Sequence, residues 1–271
     1  MSFIQENTIN INLNLKRKYN LYHFSDVHVV NLENIEGDEE IKKAHNNENA
    51  WYRVRQDFAN HFKETCNIEQ LLPSTKCLDN LLNHCLNKNI DALLLSGDII
   101  DYISEANLSY LKESIKKIKA PFVLSPGNHE IPGSVFNEII NTSSDFQVID
   151  LEEIKIIGLD NSKKCFTLKQ LEMLKKQCED NKIIFLCMHI PILTKYNKEE
   201  MSKFDSYFII NENSCDQESK DFIDYISKNT NIKAIFCGHT HGASETFFAI
   251  NKKQYCASSG LIGYVNNIIV K

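Results

Sequence analysis

Asp91-Ala92-Leu93-Leu94-Leu95-Ser96-Gly97-Asp98, residues 91–98, sets a run of apolar side chains directly against a glycine and a carboxylate. A run this short and continuous reads as a strand buried on both faces. The same construction recurs along the chain. Residues 21–25 run into Asp26-Val27-His28, and residues 121–125 into Gly127-Asn128-His129-Glu130. Residues 182–188 run into His189, and residues 233–237 into Gly238-His239-Thr240-His241.

Between these runs, residues 75–87, 104–117, 167–178 and 218–228 carry helical spacing, with Ser104 and Thr167 as N-caps for two of them. Alternation of buried strands with amphipathic helices predicts an α/β layered fold, helices outside a largely parallel sheet. Residues 244–250, 254–258 and 262–270 read as consecutive strands that form an antiparallel edge or a second sheet. A single domain over residues 1–271 is the economical organisation. Two stretches break the rhythm, 29–74 and 191–216. Long connections without a clear element are often lids or binding loops, and 29–74 is read as such an insertion.

Composition narrows the function classes. Hydrophobic residues make up 42% and charged residues 24%, as in ordinary globular chains. Thirty basic against 36 acidic residues give a net charge of −6, which argues against bulk attraction to nucleic acid or an anionic membrane. The first residues do not read as a signal peptide, and no apolar run is long enough to span a bilayer. The 9 cysteines form no Cys-x-x-Cys pair, and several lie in apolar runs as small buried thiols. A reducing, cytoplasmic location is therefore expected.

In open α/β sheets ligands bind beyond the carboxyl ends of strands, so five polar strand ends can converge on one crevice. Asp26, His28, Asp98, Asn128, His189, His239 and His241 offer oxygen and nitrogen donors without a thiolate. Seven donors exceed the needs of one four-coordinate ion but suit two, one carboxylate bridging them. Imidazole with carboxylate favours Zn, Mn or Fe over Ca or Mg. Taken singly the pieces are weak. Asp101 alone would be a turn or cap residue, Asn128 a turn residue, Glu130 a surface charge, and His23, His45, His61 and His84 solvated or core histidines. Order and placement after five buried strands give the set its weight.

The blocks Asp-x-His, Gly-Asp, Gly-Asn-His-Glu, His and Gly-His-x-His, from Asp26 to His241, resemble the calcineurin-like metallophosphoesterase superfamily. The resemblance implies a four-layer α/β/β/α sandwich, with the C-terminal strands in the second sheet. It implies two divalent ions, one on Asp26, His28, Asp98 and His241, the other on Asp98, Asn128, His189 and His239, and in-line attack on phosphorus by a hydroxide between them. His129 is similar to the family's phosphate-contacting histidine, and Asp101 to the carboxylate that orients it. Asp101 replaces the tyrosine ligand of purple acid phosphatases, and Tyr102-Ile103 replaces the Arg-Gly of protein Ser/Thr phosphatases. What remains is the bacterial-type, class III cyclic-nucleotide phosphodiesterase-like branch, acting on a small phosphate ester or nucleotide. A phosphomonoesterase and a catalytically silent scaffold of the same fold are the alternatives. Trp51 and Arg53 are candidates for the substrate pocket, by stacking on a base and holding a second phosphate. The competing reading has Trp51 anchoring its own segment.

Overall fold

The structure is a computed structural model that describes residues 3–61 and 71–271. In chain order it opens with strands β1 (Gln5–Ile11) and β2 (Tyr19–Phe24), helices α1 (Asp38–His61) and α2 (Ser74–Leu86), and β3 (Ala92–Leu95). Helix α3 (Glu105–Ile115), β4 (Phe122–Leu124), the single turn α4 (Asn137–Ile140), β5 (Phe146–Asp150) and β6 (Ile154–Leu159) follow. Next come α5 (Leu168–Gln177), β7 (Ile183–Cys187), β8 (Ile192–Leu193), the single turn α6 (Lys198–Met201) and β9 (Ile210–Asn211). Helix α7 (Gln217–Lys228) and strands β10 (Ile232–Cys237), β11 (Ser244–Ala249), β12 (Lys252–Cys256) and β13 (Tyr264–Val270) close the chain.

Two sheets carry the fold, a five-stranded one in the order β1-β13-β2-β3-β4 and a six-stranded one in the order β11-β12-β10-β7-β6-β5. Strand side chains alternate between two faces, and the cores follow that alternation. Leu21 of β2, Leu94 of β3, Phe185 of β7 and Phe236 of β10 meet between the sheets. Tyr22 and Phe24, with Leu93 and Leu95, face α2 and α3 on one outer side. Ile184 and Leu186 face α5 and α7 on the other. Three apolar interfaces between four layers make the α/β/β/α sandwich. Each fully buried Leu or Ile contributes roughly 1.5–3 kcal/mol, so the layers hold the strand ends in place.

The buried strands and the four amphipathic helices lie where their patterns predict, and Ser104 and Thr167 cap α3 and α5 by accepting from Asn107 N–H and Gln170 N–H. Three features differ. Strand β13 does not join the second sheet but inserts between β1 and β2, parallel to the first and antiparallel to the second. Both sheets are largely parallel but mixed, with β13–β2 antiparallel in the first and the edge strands β11 and β5 antiparallel in the second. Segment 29–74 contains the 24-residue helix α1, and its residues 62–70 lie outside the described residues. Segment 191–216 forms a small lobe, with β8 pairing to β9 over a core of Leu193, Met201 and Ile209.

Candidate metal centre

The strand ends of β2, β3, β4, β7 and β10 deliver their polar residues to one place. Asp26, His28 and His241 form one cluster of donor atoms lying within 4.8 Å of one another, and Asp98, His189 and His239 form a second. A third cluster, His28, Asp98 and His129, joins them. Asn128 completes the set, its Oδ1 3.1 Å from His189 Nε2.

Holding so many polar groups together distorts the backbone. Asp26, His28, Asp98, His239 and His241 all have positive φ, from 46° to 68°. Non-glycine residues rarely adopt this region, and such strain gathers at functional sites. The residues of the Asp-x-His and His-x-His blocks are thus not neighbours on one face of an extended strand. They sit in left-handed turns beyond the strand ends, and His239 and His241 go to different clusters. Gly127 allows a close approach, since a Cβ there would collide with the carboxylate of Asp98.

Hydrogen bonds fix which nitrogen each ring turns to the centre. His189 Nδ1 lies 2.8 Å from the Ser96 carbonyl and His239 Nε2 3.2 Å from the Tyr207 carbonyl. A carbonyl only accepts, so both nitrogens carry hydrogen and the opposite nitrogens face the centre. Those nitrogens, His189 Nε2 and His239 Nδ1, face each other at 3.1 Å, with Asp98 Oδ2 3.2 Å from His189 Nε2. On the other side His28 Nε2 and His241 Nε2 also meet at 3.1 Å, with Asp26 Oδ1 3.3 Å from His241 Nε2. Ring nitrogens that meet beside carboxylates need a proton or a cation between them. Burial draws the His189 imidazole down, but the adjacent Asp98 carboxylate outweighs it and lifts the ring to about 9. Burial likewise pushes the Asp98 carboxyl up, and His189 and His28 hold it well below the usual range. A thiolate-free set of imidazoles, carboxylates and one amide fits two divalent cations side by side.

Around the donors stands a buried supporting layer. Glu130 is fully buried and accepts from the backbone N–H groups of Asp98, Ile99, Ile100 and Gly127 at 2.7–3.0 Å. Its reading as a surface charge is wrong, because it ties the β3 and β4 loops together. Burial, with the Asp98 charge nearby, pushes its carboxyl up to about 8. Asn161 Oδ1 accepts from the N–H groups of His189 and Ile190, both at 3.0 Å. It follows β6 as the other polar residues follow their strands, a signal the sequence carried. His23 is a core histidine, 2.7 Å from Ser96 Oγ and 3.1 Å from Asn266 Nδ2, and burial holds it near 3 and neutral.

His129 stands at the rim, its Nδ1 2.8 Å from the Asp101 carbonyl and 3.1 Å from the Asp101 carboxylate. Asp101 is almost fully buried and also accepts from Trp51 Nε1 and Asn47 Nδ2, each at 2.7 Å. Trp51 stacks on His28 with centroids 3.8 Å apart and planes at 21°. The structure thus brings Trp51 to the centre as a brace, with Asn47 one helical turn before it. Arg53 is not brought there. Two residues along a helix are roughly 200° apart, so it leaves the face that carries Trp51 and is exposed. Arg55 turns inward, fully buried, and donates to Glu48 at 2.5 Å.

Comparison with known proteins agrees with this geometry. Residues 19–243 match the calcineurin-like phosphoesterase family. A Fibrobacter succinogenes protein named probable cyclic nucleotide phosphodiesterase is 28% identical over 161 residues, 57% of this chain and 59% of its own length. An Arcobacter nitrofigilis protein named probable glycerophosphodiester phosphodiesterase is 28% identical over 192 residues, 64% of this chain and 65% of its own. The match thus spans less than two thirds of either relative. A dimetal phosphatase from Danio rerio superposes with a TM-score of 0.55 at 10% identity, covering 90% of this chain and 88% of that one, which speaks to fold alone. Fold, strand-end residues and the long family match converge: the chain belongs to the calcineurin-like phosphoesterases.

Proposed function

We propose that this protein hydrolyses a small phosphodiester, of nucleotide type, with two divalent cations. Asp26, His28, Asp98 and His241 would hold one, and Asp98, Asn128, His189 and His239 the other. When bound, such a pair supplies Lewis-acid activation of water at neutral pH and neutralises charge on the phosphoryl oxygens. The observation that carries the reading is the two pairs of imidazole nitrogens meeting at 3.1 Å, each beside a carboxylate, on either side of Asp98.

The chain's own groups have distinct tasks in this reading. Asp101 holds His129 through Nδ1, which leaves Nε2 to contact a phosphoryl oxygen or to give a proton to the leaving oxygen. Trp51 and Asn47 keep Asp101 in place. Strained turns at five of the donors keep their side chains preorganised, so little rearrangement is needed on binding. Preference for a diester draws support from the names of the two relatives. Mn, Fe and Zn all suit the donors.

Steady-state hydrolysis of matched nitrophenyl phosphate mono- and diesters, by Mn-reconstituted protein against the metal-free form, tests the proposal. Metal-dependent turnover favouring the diester is expected. A preference for the monoester would make the protein a phosphatase. Two bound ions without turnover of either ester would point to the silent scaffold.

A further inference from the structure

The lobe of residues 191–216 sets two rings, Tyr207 and Phe208, against the donor His239, and neither belongs to the five sequence blocks. Tyr207 is 53% exposed, yet its backbone is pinned. Its N–H donates to Asp205 Oδ1 at 2.8 Å, and its carbonyl accepts from His239 Nε2 at 3.2 Å. Its ring lies 5.4 Å from the His239 ring and 5.2 Å from that of Phe208, edge-on to the latter. Lys164 Nζ donates to the neighbouring Ser206 carbonyl. An exposed aromatic side chain costs conformational entropy to hold still. Here a loop with its own apolar core holds it at the mouth of the centre.

Its hydroxyl occupies a particular position. Asn128 Nδ2 donates to Tyr207 Oη at 3.0 Å, and the same amide places its Oδ1 3.1 Å from His189 Nε2. The phenolic oxygen is thus an acceptor in that bond, and its own hydrogen remains to be given. Among the described residues no acceptor takes it. One amide group therefore separates an unused O–H donor from the second cluster of donors.

We propose that Tyr207 is a substrate-contacting residue, donating its phenolic hydrogen to an oxygen of a phosphate group seated on the Asn128–His189–His239 side of the centre. The ligand class is a tetrahedral phosphate oxyanion, as ester or as free product. A neutral donor suits this position, because it adds a hydrogen bond without the charge that would repel a neighbouring cation. The inference rests on the phosphoesterase reading above.

Tyr207→Phe removes the hydroxyl and keeps the ring. Two measurements on Mn-loaded protein decide the matter: bound Mn per chain, and affinity for inorganic phosphate by titration calorimetry. Expected are two ions retained by both proteins and a fall in phosphate affinity of about tenfold in the variant, as for one lost hydrogen bond to a charged group. Unchanged phosphate affinity with both ions retained would overturn the role. Loss of one ion, with the remaining phosphate binding falling in proportion, would also overturn it, since Tyr207 would then only orient Asn128. If the parent protein holds two ions but binds no phosphate and turns over no ester, the phosphoesterase reading fails and this assignment falls with it.

Discussion

Helix α1 and the lobe of residues 191–216 flank the same donors but are attached to them in opposite ways. Helix α1 is fixed from beneath by charge. Arg55, fully buried, donates to Glu48, and Glu48 in turn accepts from Ser74 Oγ at 2.7 Å. From that base Trp51 and Asn47 reach inward to Asp101. The lobe instead is packed by Leu193, Met201 and Ile209, grips His239 through a backbone carbonyl, and turns a phenol outward. In the proposed mechanism one wall orients a group that acts on the substrate, and the other is itself open to it. A segment that looks like a lid in sequence can therefore be part of the frame.

Substitutions test this contrast. Asp98 lies between the two walls, 3.8 Å from His28 and 3.2 Å from His189, so Asp98→Asn strikes both halves at once. Metal analysis is expected to show fewer than two ions and kinetics a loss of at least about 10³-fold. Two retained ions with full activity would remove the basis of the proposed mechanism. His129→Ala belongs to the α1 side alone, through Asp101. It should keep both ions and lose about 10²–10⁴-fold in turnover; a variant that loses metal instead would make His129 a donor.

Trp51→Phe preserves an aromatic face against His28 and deletes the N–H that Asp101 accepts. A frame role predicts a fall of about tenfold in kcat, KM within about twofold and metal content unchanged. A rise in KM at constant kcat would place Trp51 in the substrate pocket and erase the distinction between the walls. Smallest of all, Arg53→Ala should leave kcat, KM and the unfolding midpoint unchanged within about twofold or 0.5 kcal/mol. A marked rise in KM would return Arg53 to the pocket.

Much of this arrangement is legible in the chain because burial and chemistry alternate along it. Runs such as Leu93-Leu94-Leu95 have no polar side to show, and the polar residues that follow them must face a common end of the sheet. Helix α1 is hidden for the opposite reason. Its inward positions include Ala44, Glu48 and Arg55, so a buried ion pair stands where an apolar stripe would announce a helix. Asn46, Asn47 and Asn49 lower its propensity further, and docking has to offset this. Glu130 misled in the same manner, a charged residue in a loop whose partners are all backbone amides. Backbone groups leave no trace in a sequence. Strand β1, with Glu6, Asn7 and Asn10, lies at a sheet edge where polar side chains meet water, so no apolar run marks it.

The placement of β13 carries a consequence for how the molecule is made. Gln5 pairs with Tyr264 and Ile11 with Val270, while His23 of β2 lies across from Asn266. Strands β1 and β2, adjacent along the chain, are not each other's neighbours, and the strand that joins them comes some two hundred and fifty residues after β1. Closing so long a loop is slow, and sheets dominated by such pairings fold late. During translation the inner edges of β1 and β2 must wait unpaired, open to strands of other chains. Assembly of the candidate site then waits on that late pairing, since Asp26 and His28 hang from the end of β2, beside which β13 docks.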